Sequence, residues 1–288
     1  MTTSAFWQTT RFRIDLSQPR IMGIVNVTPD SFSDGGVHAS TASALRHCEQ
    51  LLVDGAHILD IGGESTRPGS PAVSASDELA RVLPLVREAA KLGVPLSVDT
   101  YKPEVMRAVL DLGADIVNDI WALGQPGALD VVSAHASCGI CLMHMHKDPQ
   151  TMQVAPMDGD VLPAVRAFLE ARTEVLQSRG IRADRITLDP GIGFGKTVAQ
   201  NFSLLARQNE LAVSGFPLLA GWSRKSSLGA VTGIEVASER MVPSVAAALL
   251  AVDRGASVVR VHDVRETVAA LSIWRAMRAE QQQGANHS

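Results

Sequence analysis

Short apolar, β-branched runs alternate with longer stretches of helical period along almost the whole chain. The strand-like runs cover residues 21–27, 57–61, 95–99, 116–120, 139–144, 185–189, 217–221 and 257–261. The helical stretches between and after them cover residues 41–54, 76–92, 103–112, 128–136, 161–179, 197–208, 238–254 and 264–278. Near-continuous apolar strands separated by helices predict a parallel sheet buried on both faces. One phrase recurs at three junctions: Gly55-Ala56, Gly113-Ala114 and Gly255-Ala256 each stand between a helix and a strand. A glycine closing a helix just ahead of a strand marks the αβ turn of a repeating unit. Eight strands in strict alternation with eight helices select an α/β (β/α)8 TIM barrel, with an open doubly wound sheet as the alternative. Residues 12–16 are expected to pack over the barrel bottom. No Pro/Gly/Ser linker interrupts the pattern, so a single domain over residues 11–280 and a disordered tail at 281–288 are expected.

Composition narrows the function more than the fold. The 288 residues are 46% hydrophobic and 19% charged, as in a chain that buries a full-sized core. Lys plus Arg number 26 against 30 Asp plus Glu, a formal charge of −4, and aromatics make up only 4%. That balance argues against nucleic acid, which calls for basic stripes and stacking rings. No apolar run reaches the roughly 18–20 residues that span a bilayer. Residues 1–10 lack the basic start and apolar stretch of a signal peptide. Cys48, Cys138 and Cys141 are too few, and odd in number, for a secreted disulfide framework. A cytoplasmic protein with no membrane partner is expected.

Active sites of such barrels sit at the C-terminal ends of the strands. Those ends carry Asn26, the run from Gly62 to Arg67, Asp99, Asn118, Met143, Asp189, Lys225 just past the seventh strand, and Arg260 with His262. A single polar residue at a strand end commonly caps the next helix. So many converging on one mouth point to a ligand. Asp99, Asn118 and Asp189 can offer acceptors and donors to a flat, nitrogen-rich ring, each charge-assisted bond contributing roughly 1.5–3 kcal/mol. Arg67, Lys225, Arg260 and His262 form a cationic set, placed where barrels often hold phosphate. A heterocycle with a phosphate-bearing tail is the implied substrate.

Two other patterns compete. The run from Gly191 to Thr197 imitates a phosphate loop, but Pro190 stands where the first glycine is required. A flexible loop beside Asp189 is the better expectation. Cys138, Cys141, His144 and His146 imitate a zinc cluster, yet the two cysteines fall on opposite faces of a strand and read as packing residues. The connections at 26–36 and 63–74 are long and rich in turn residues, as lids over a site are.

Five segments carry a resemblance. Met22 to Gly36, including Asn26, Asp30 and Asp34, and Asp60 to Gly69, with Glu64, Thr66, Arg67 and Pro68, resemble the first two signatures of the dihydropteroate synthases. Asp189 to Lys196, Ser223-Arg224-Lys225-Ser226 and Arg260-Val261-His262-Asp263 resemble the others, in order, and the similarity spans residues 11–276. The resemblance implies a transferase of folate biosynthesis. Such an enzyme condenses 6-hydroxymethyl-7,8-dihydropterin diphosphate with 4-aminobenzoate to 7,8-dihydropteroate and pyrophosphate. It implies Asp99, Asn118, Asp189 and Lys225 around the pterin, with Ile120, Met143 and Phe194 as apolar neighbours. Thr66, Arg67, Ser226, Arg260 and His262 would meet the diphosphate, and Phe32, Pro68 and Lys225 would border the aminobenzoate. Asp99, Lys225, Arg260, His262, Asp34 and Arg67 are the implied catalytic set, Asn26 the Mg²⁺ ligand. A homodimer and competition by sulfonamides are also implied. A corrinoid-dependent methyltransferase of the same pterin-binding barrel, or a pterin-binding homologue without turnover, is the alternative. No Ser-His-Asp set or activated cysteine is evident, so an SN1-like substitution is expected rather than covalent catalysis.

Overall fold

The computed structural model describes residues 5–27, 36–66, 69–149, 151–152, 154–211 and 215–285, the side chains of 36–40 and 282–285 excepted. The chain opens with an antiparallel pair, β1 (Phe6–Gln8) and β2 (Arg13–Asp15), in which Trp7 faces Ile14. Eight parallel strands follow: β3 (Arg20–Asn26), β4 (Ile58–Gly62), β5 (Leu96–Asp99), β6 (Ile116–Asp119), β7 (Gly139–Met143), β8 (Ile186–Asp189), β9 (Leu218–Ala220) and β10 (Ala256–Val261). They close into a barrel in chain order, with β10 pairing both β9 and β3. The open-sheet alternative is excluded by that closure. The outer ring is α1 (Gly36–Val53), α2 (Ala75–Ala89), α3 (Pro103–Asp111), α4 (Ala128–Ala134), α5 (Leu162–Ser178), α6 (Val198–Ala206), α7 (Ser226–Thr232), α8 (Met241–Asp253) and α9 (Val264–Ala285).

Local chemistry explains the boundaries. Gly55, Gly113 and Gly255 all adopt positive φ, at 102°, 96° and 92°, so the repeated Gly-Ala phrase is a left-handed turn that an L side chain would strain. Ser74 caps α2 by accepting the Asp77 N–H, and Thr197 with Gln200 forms a capping box on α6. The apolar strands pack outward against the helices in one layer, while a second cluster fills the barrel bottom. That inner cluster takes in Trp7 and Ile14, with Phe12 and Leu16 against it. The hairpin is therefore a plug, as residues 12–16 suggested. Trp7 is completely buried and donates from Nε1 to the Arg185 carbonyl at 3.0 Å. Truncating a tryptophan so placed costs about 3–5 kcal/mol.

The structure departs from expectation at two helices. The seventh unit carries the short α7 ahead of α8, because seven residues with Gly229 among them show no readable period. α9 runs to Ala285, into the stretch expected to be a disordered tail. Ala279, Glu280 and the glutamines that follow are good helix formers, and they extend the helix past its last apolar contacts. Among the described residues no helix is long and apolar enough to cross a membrane.

Candidate active site

Side chains two apart on a strand share a face. Met22, Ile58, Ile116, Cys141, Leu219 and Val258 point inward at the barrel bottom. Two residues further along the same strands stand Ile24, Asp60, Asn118, Met143, Gly221 and Arg260; two further again come Asn26, Gly62, Ile120 and His262. The alternation that closes the bottom with apolar groups thus delivers polar ones to the top.

An ion-pair cluster occupies the centre of the mouth. Arg260 donates from Nε to Asp60 Oδ2 at 2.6 Å and from Nη2 to Asp99 Oδ2 at 2.8 Å. Asp60 is completely buried, and Asn118 Nδ2 lies 3.4 Å from its Oδ2. Burial pushes the Asp99 carboxyl above its ordinary range, while Arg260 pulls it back and Asp60 adds to the rise. Asp60 was absent from the expected site residues. Its one signal is a charge on an otherwise apolar strand, at an inward position between Ile58 and Gly62.

Asp189 ends β8 almost buried, and its Oδ1 accepts the Gly191 N–H at 2.7 Å. Its Oδ2 lies on the side of Gly221, where a Cβ would come to 3.9 Å of it. Burial raises its pKa, and the Gly191 amide, Lys225, Lys196 and Arg260 act against that rise. Lys225 Nζ lies 4.3 Å from the Phe194 ring centroid. Ile120, Met143 and Phe194 join Met152 in one apolar cluster, with Tyr101, Trp121 and Met145 against it.

The loop after β8 is not flexible in the way its glycines suggested. It is built around Lys196, which is buried and donates from Nζ to the carbonyls of Gly191 at 2.8 Å and Phe194 at 3.1 Å. The same Nζ lies 3.0 Å from His144 Nδ1. Burial pulls the Lys196 ammonium down to about 7 and the His144 imidazole down to about 3. Burial thus keeps His144 a neutral imidazole against Lys196. A Cβ at Gly191 would stand 1.9 Å from the His144 carbonyl, so the glycine permits contact rather than motion.

Lys225 and Ser226 are set by strain. Arg224 holds φ at +59°, its N–H donates to Ser244 Oγ at 2.8 Å, and its guanidinium pairs with Asp263 at 2.6 Å. Such a conformation persists only where its surroundings over-determine it. Ser223 Oγ accepts the His262 N–H at 3.1 Å and lies 2.9 Å from His262 Nδ1. The turn after β9 is therefore tied to the end of β10. Ser226 is exposed at the start of α7, and Thr66 is half-buried in the loop after β4. Phe32, Asp34, Arg67 and Pro68 lie outside the described residues.

Asn26 is half-buried at the end of β3, with Oδ1 on the side of Gly62, where a Cβ would come within 3.8 Å of it and 3.6 Å of Asp99 Cβ. An amide oxygen beside a carboxylate is the kind of donor set that a hard cation such as Mg²⁺ accepts. Among the described residues no group of three His, Cys, Asp or Glu could hold a metal by itself. Cys138 packs in the outer layer and Cys141 inside the barrel, on opposite faces of β7, as packing residues do.

The sequence matches the pterin binding enzyme family over residues 22–262. It is 52% identical over 276 residues to dihydropteroate synthase of Neisseria meningitidis serogroup B, covering 94% of this chain and 97% of that one. Burkholderia cenocepacia dihydropteroate synthase complexed with 7,8-dihydropteroate superposes with a TM-score of 0.90 at 51% identity, covering 98% of this chain and 100% of that one. Yersinia pestis dihydropteroate synthase, solved as a sulfonamide drug complex, gives a TM-score of 0.90 at 44% identity over 95% of this chain and 99% of that one. With its closed barrel and its ring of carboxylates, amides and cations at the strand ends, the chain belongs to the dihydropteroate synthase family of pterin-binding enzymes.

Proposed function

We propose that Asp99, Asn118, Asp189 and Lys225 hold the pterin of the family's reaction, while cations on the β9 and β10 side receive its diphosphate. As a dihydropteroate synthase the chain is a transferase of folate biosynthesis, forming 7,8-dihydropteroate and pyrophosphate. The observation that carries the assignment is the apolar wall of Ile120, Met143, Met152 and Phe194 with acceptors and donors along its rim. A dihydropterin presents one flat face and one edge of amino and imino donors, and this mouth offers the complement to both.

The substitution breaks the C–O bond to the diphosphate, whose oxygen keeps the electron pair, and forms a C–N bond to the arylamine. The amine nitrogen gives up a proton to the diphosphate anion or to water. Arg260, His262, Ser226 and Lys225 would meet the departing charge, with Thr66 and Arg67 added from the second loop. Mg²⁺ on Asn26, when bound, would neutralise diphosphate charge and favour its departure. The positive charge left on the pterin methylene spreads into the ring, where the carboxylates of Asp99 and Asp189 stabilise it. The weakly basic amine then needs little beyond positioning. Phe32 and Pro68 would border the aminobenzoate, and a sulfonamide would compete there. Asp34 of the first loop joins the catalytic set.

A site completed by the loops at 28–35 and 63–74 binds its ligands in order. Aminobenzoate offers little surface of its own, so it should bind the free protein poorly and bind well once pterin and Mg²⁺–pyrophosphate are in place. Deleting residues 31–34 should spare pterin binding and abolish condensation, because water is then free to capture the cation as the alcohol. Calorimetric titration at fixed Mg²⁺ checks this. Equal aminobenzoate affinity with and without pyrophosphate would sink ordered closure and leave the pterin assignment standing.

The protein acts as a homodimer in the cytoplasm on this reading. α8 is apolar almost all round, and Val231, Val242, Leu250, Ile273 and Met277 are exposed on α7, α8 and α9. A helix of that composition on the outside of a barrel calls for a cover, and a second copy supplies it. Leu250→Asp should give a monomer by light scattering. An unchanged dimer mass would move the interface elsewhere.

A further inference from the structure

We infer that Lys102 is a positioning residue which, with Glu64 and Glu78, clasps the loop after β4 to the loop after β5 and so sets the aminobenzoate side of the site. The inference rests on the reading that residues 63–74 border that substrate. Lys102 stands three residues past Asp99 and is the N-cap of α3, and its ammonium pairs with both Glu64 and Glu78. Glu64 does more than balance charge. Its Oε1 accepts the Tyr101 hydroxyl at 3.1 Å and the Val73 N–H at 3.2 Å. One carboxylate therefore touches the start of the loop after β4, the end of that loop just ahead of α2, and the segment that carries Asp99. Ser65 and Ser70 are joined inside the loop at 2.9 Å, and Arg81 on α2 donates to the Gly63 carbonyl at 2.8 Å. Thr66 lies between these ties.

The charges are a costly way to hold α2 against the barrel. Glu78 is completely buried, and its Oε1 finds no hydrogen-bond partner among the described residues. One buried and one half-buried carboxylate share one ammonium, an arrangement that apolar side chains of like volume would match or better for stability. What the ionic arrangement adds is direction: the Lys102 donors fix where Glu64 stands, and Glu64 fixes both ends of the loop. The device links the pterin carboxylate Asp99 to the loop that carries Thr66, through a chain of three residues and no moving part.

The test uses the full chain with Mg²⁺ and both substrates, alongside the parent protein. In Lys102→Met the aminobenzoate KM should rise about tenfold or more and kcat should fall, as a misplaced loop implies. The Kd for the dihydropterin alcohol, measured by calorimetry, should stay within about twofold, since the pterin contacts are untouched. Glu64→Gln keeps the acceptor for Tyr101 and Val73 and should give a smaller rise, and Tyr101→Phe a smaller one still. If Lys102→Met fails to fold, the double variant Lys102→Met/Glu78→Gln, which removes the stranded carboxylate, carries the same expectation. An unchanged aminobenzoate KM in the folded variants, or equal losses of pterin and aminobenzoate affinity, would overturn the inference. Failure of the parent protein to form dihydropteroate would instead sink the functional reading beneath it.

Discussion

Replacing Asp189 by asparagine is expected to weaken pterin binding by about 2–4 kcal/mol while leaving the fold intact, the loss that follows when a buried polar partner is left unsatisfied. The geometry makes the outcome specific. Oδ1 of Asp189 accepts the Gly191 N–H at 2.7 Å, so an asparagine there keeps its carbonyl oxygen on that amide. Its NH₂ group must then take the place of Oδ2 and face the amino–imino edge of the pterin, donor against donor. The sign of the pH dependence follows from burial, which raises the Asp189 pKa in the free protein. Pterin affinity should be full above that raised pKa and fall as pH drops through it. Calorimetry on the folded variant checks the prediction. Unchanged pterin affinity would defeat the assignment of Asp189.

Arg260→Ala should lower kcat by about 100- to 1000-fold, the usual cost of removing one donor aimed at developing negative charge. It should also destabilise the fold by about 3–5 kcal/mol, because Asp60 and Asp99 lose the cation they share. The sequence alone predicts a diphosphate contact at Arg260, with turnover falling far more than pterin binding. The two ion pairs add a second role, holding Asp99 for the pterin, so pterin affinity should fall as well, by less than turnover. Combining Arg260→Met with Asp60→Asn should recover much of the stability and none of the turnover. Urea unfolding and steady-state rates on the same preparations separate the two effects. A variant lacking Arg260 that keeps the parent stability would contradict the shared-cation account.

The barrel was legible because its strands are apolar on both faces and its turns repeat a glycine with φ near 100°. Asp99, Asn118, Asp189 and His262 were legible because they stand at or beside strand ends, where a charge in an apolar run is conspicuous. Asp60 was hidden by its place within β4, where it reads as one letter of a motif rather than as the partner of Arg260. Lys196 was hidden by its glycines, which signal slackness in a sequence and here allow a lysine to be packed among carbonyls. The Lys102 clasp was hidden by distance along the chain: its partners lie 38 and 24 residues away, with no period to join them. β1 escaped because three residues carry no alternation, though Trp7 is among the most deeply buried side chains of the molecule.

The central claim is that this mouth joins a pterin methylene to an arylamine. Its most direct test is to supply the purified protein with 6-hydroxymethyl-7,8-dihydropterin diphosphate, 4-aminobenzoate and Mg²⁺, and to measure pyrophosphate and dihydropteroate together. The account predicts equal amounts of both when both substrates and Mg²⁺ are present, with negligible dihydropteroate when either aminobenzoate or Mg²⁺ is withheld. Tight pterin binding without release of either product would contradict it, and would make the barrel a pterin-binding protein that does not turn over.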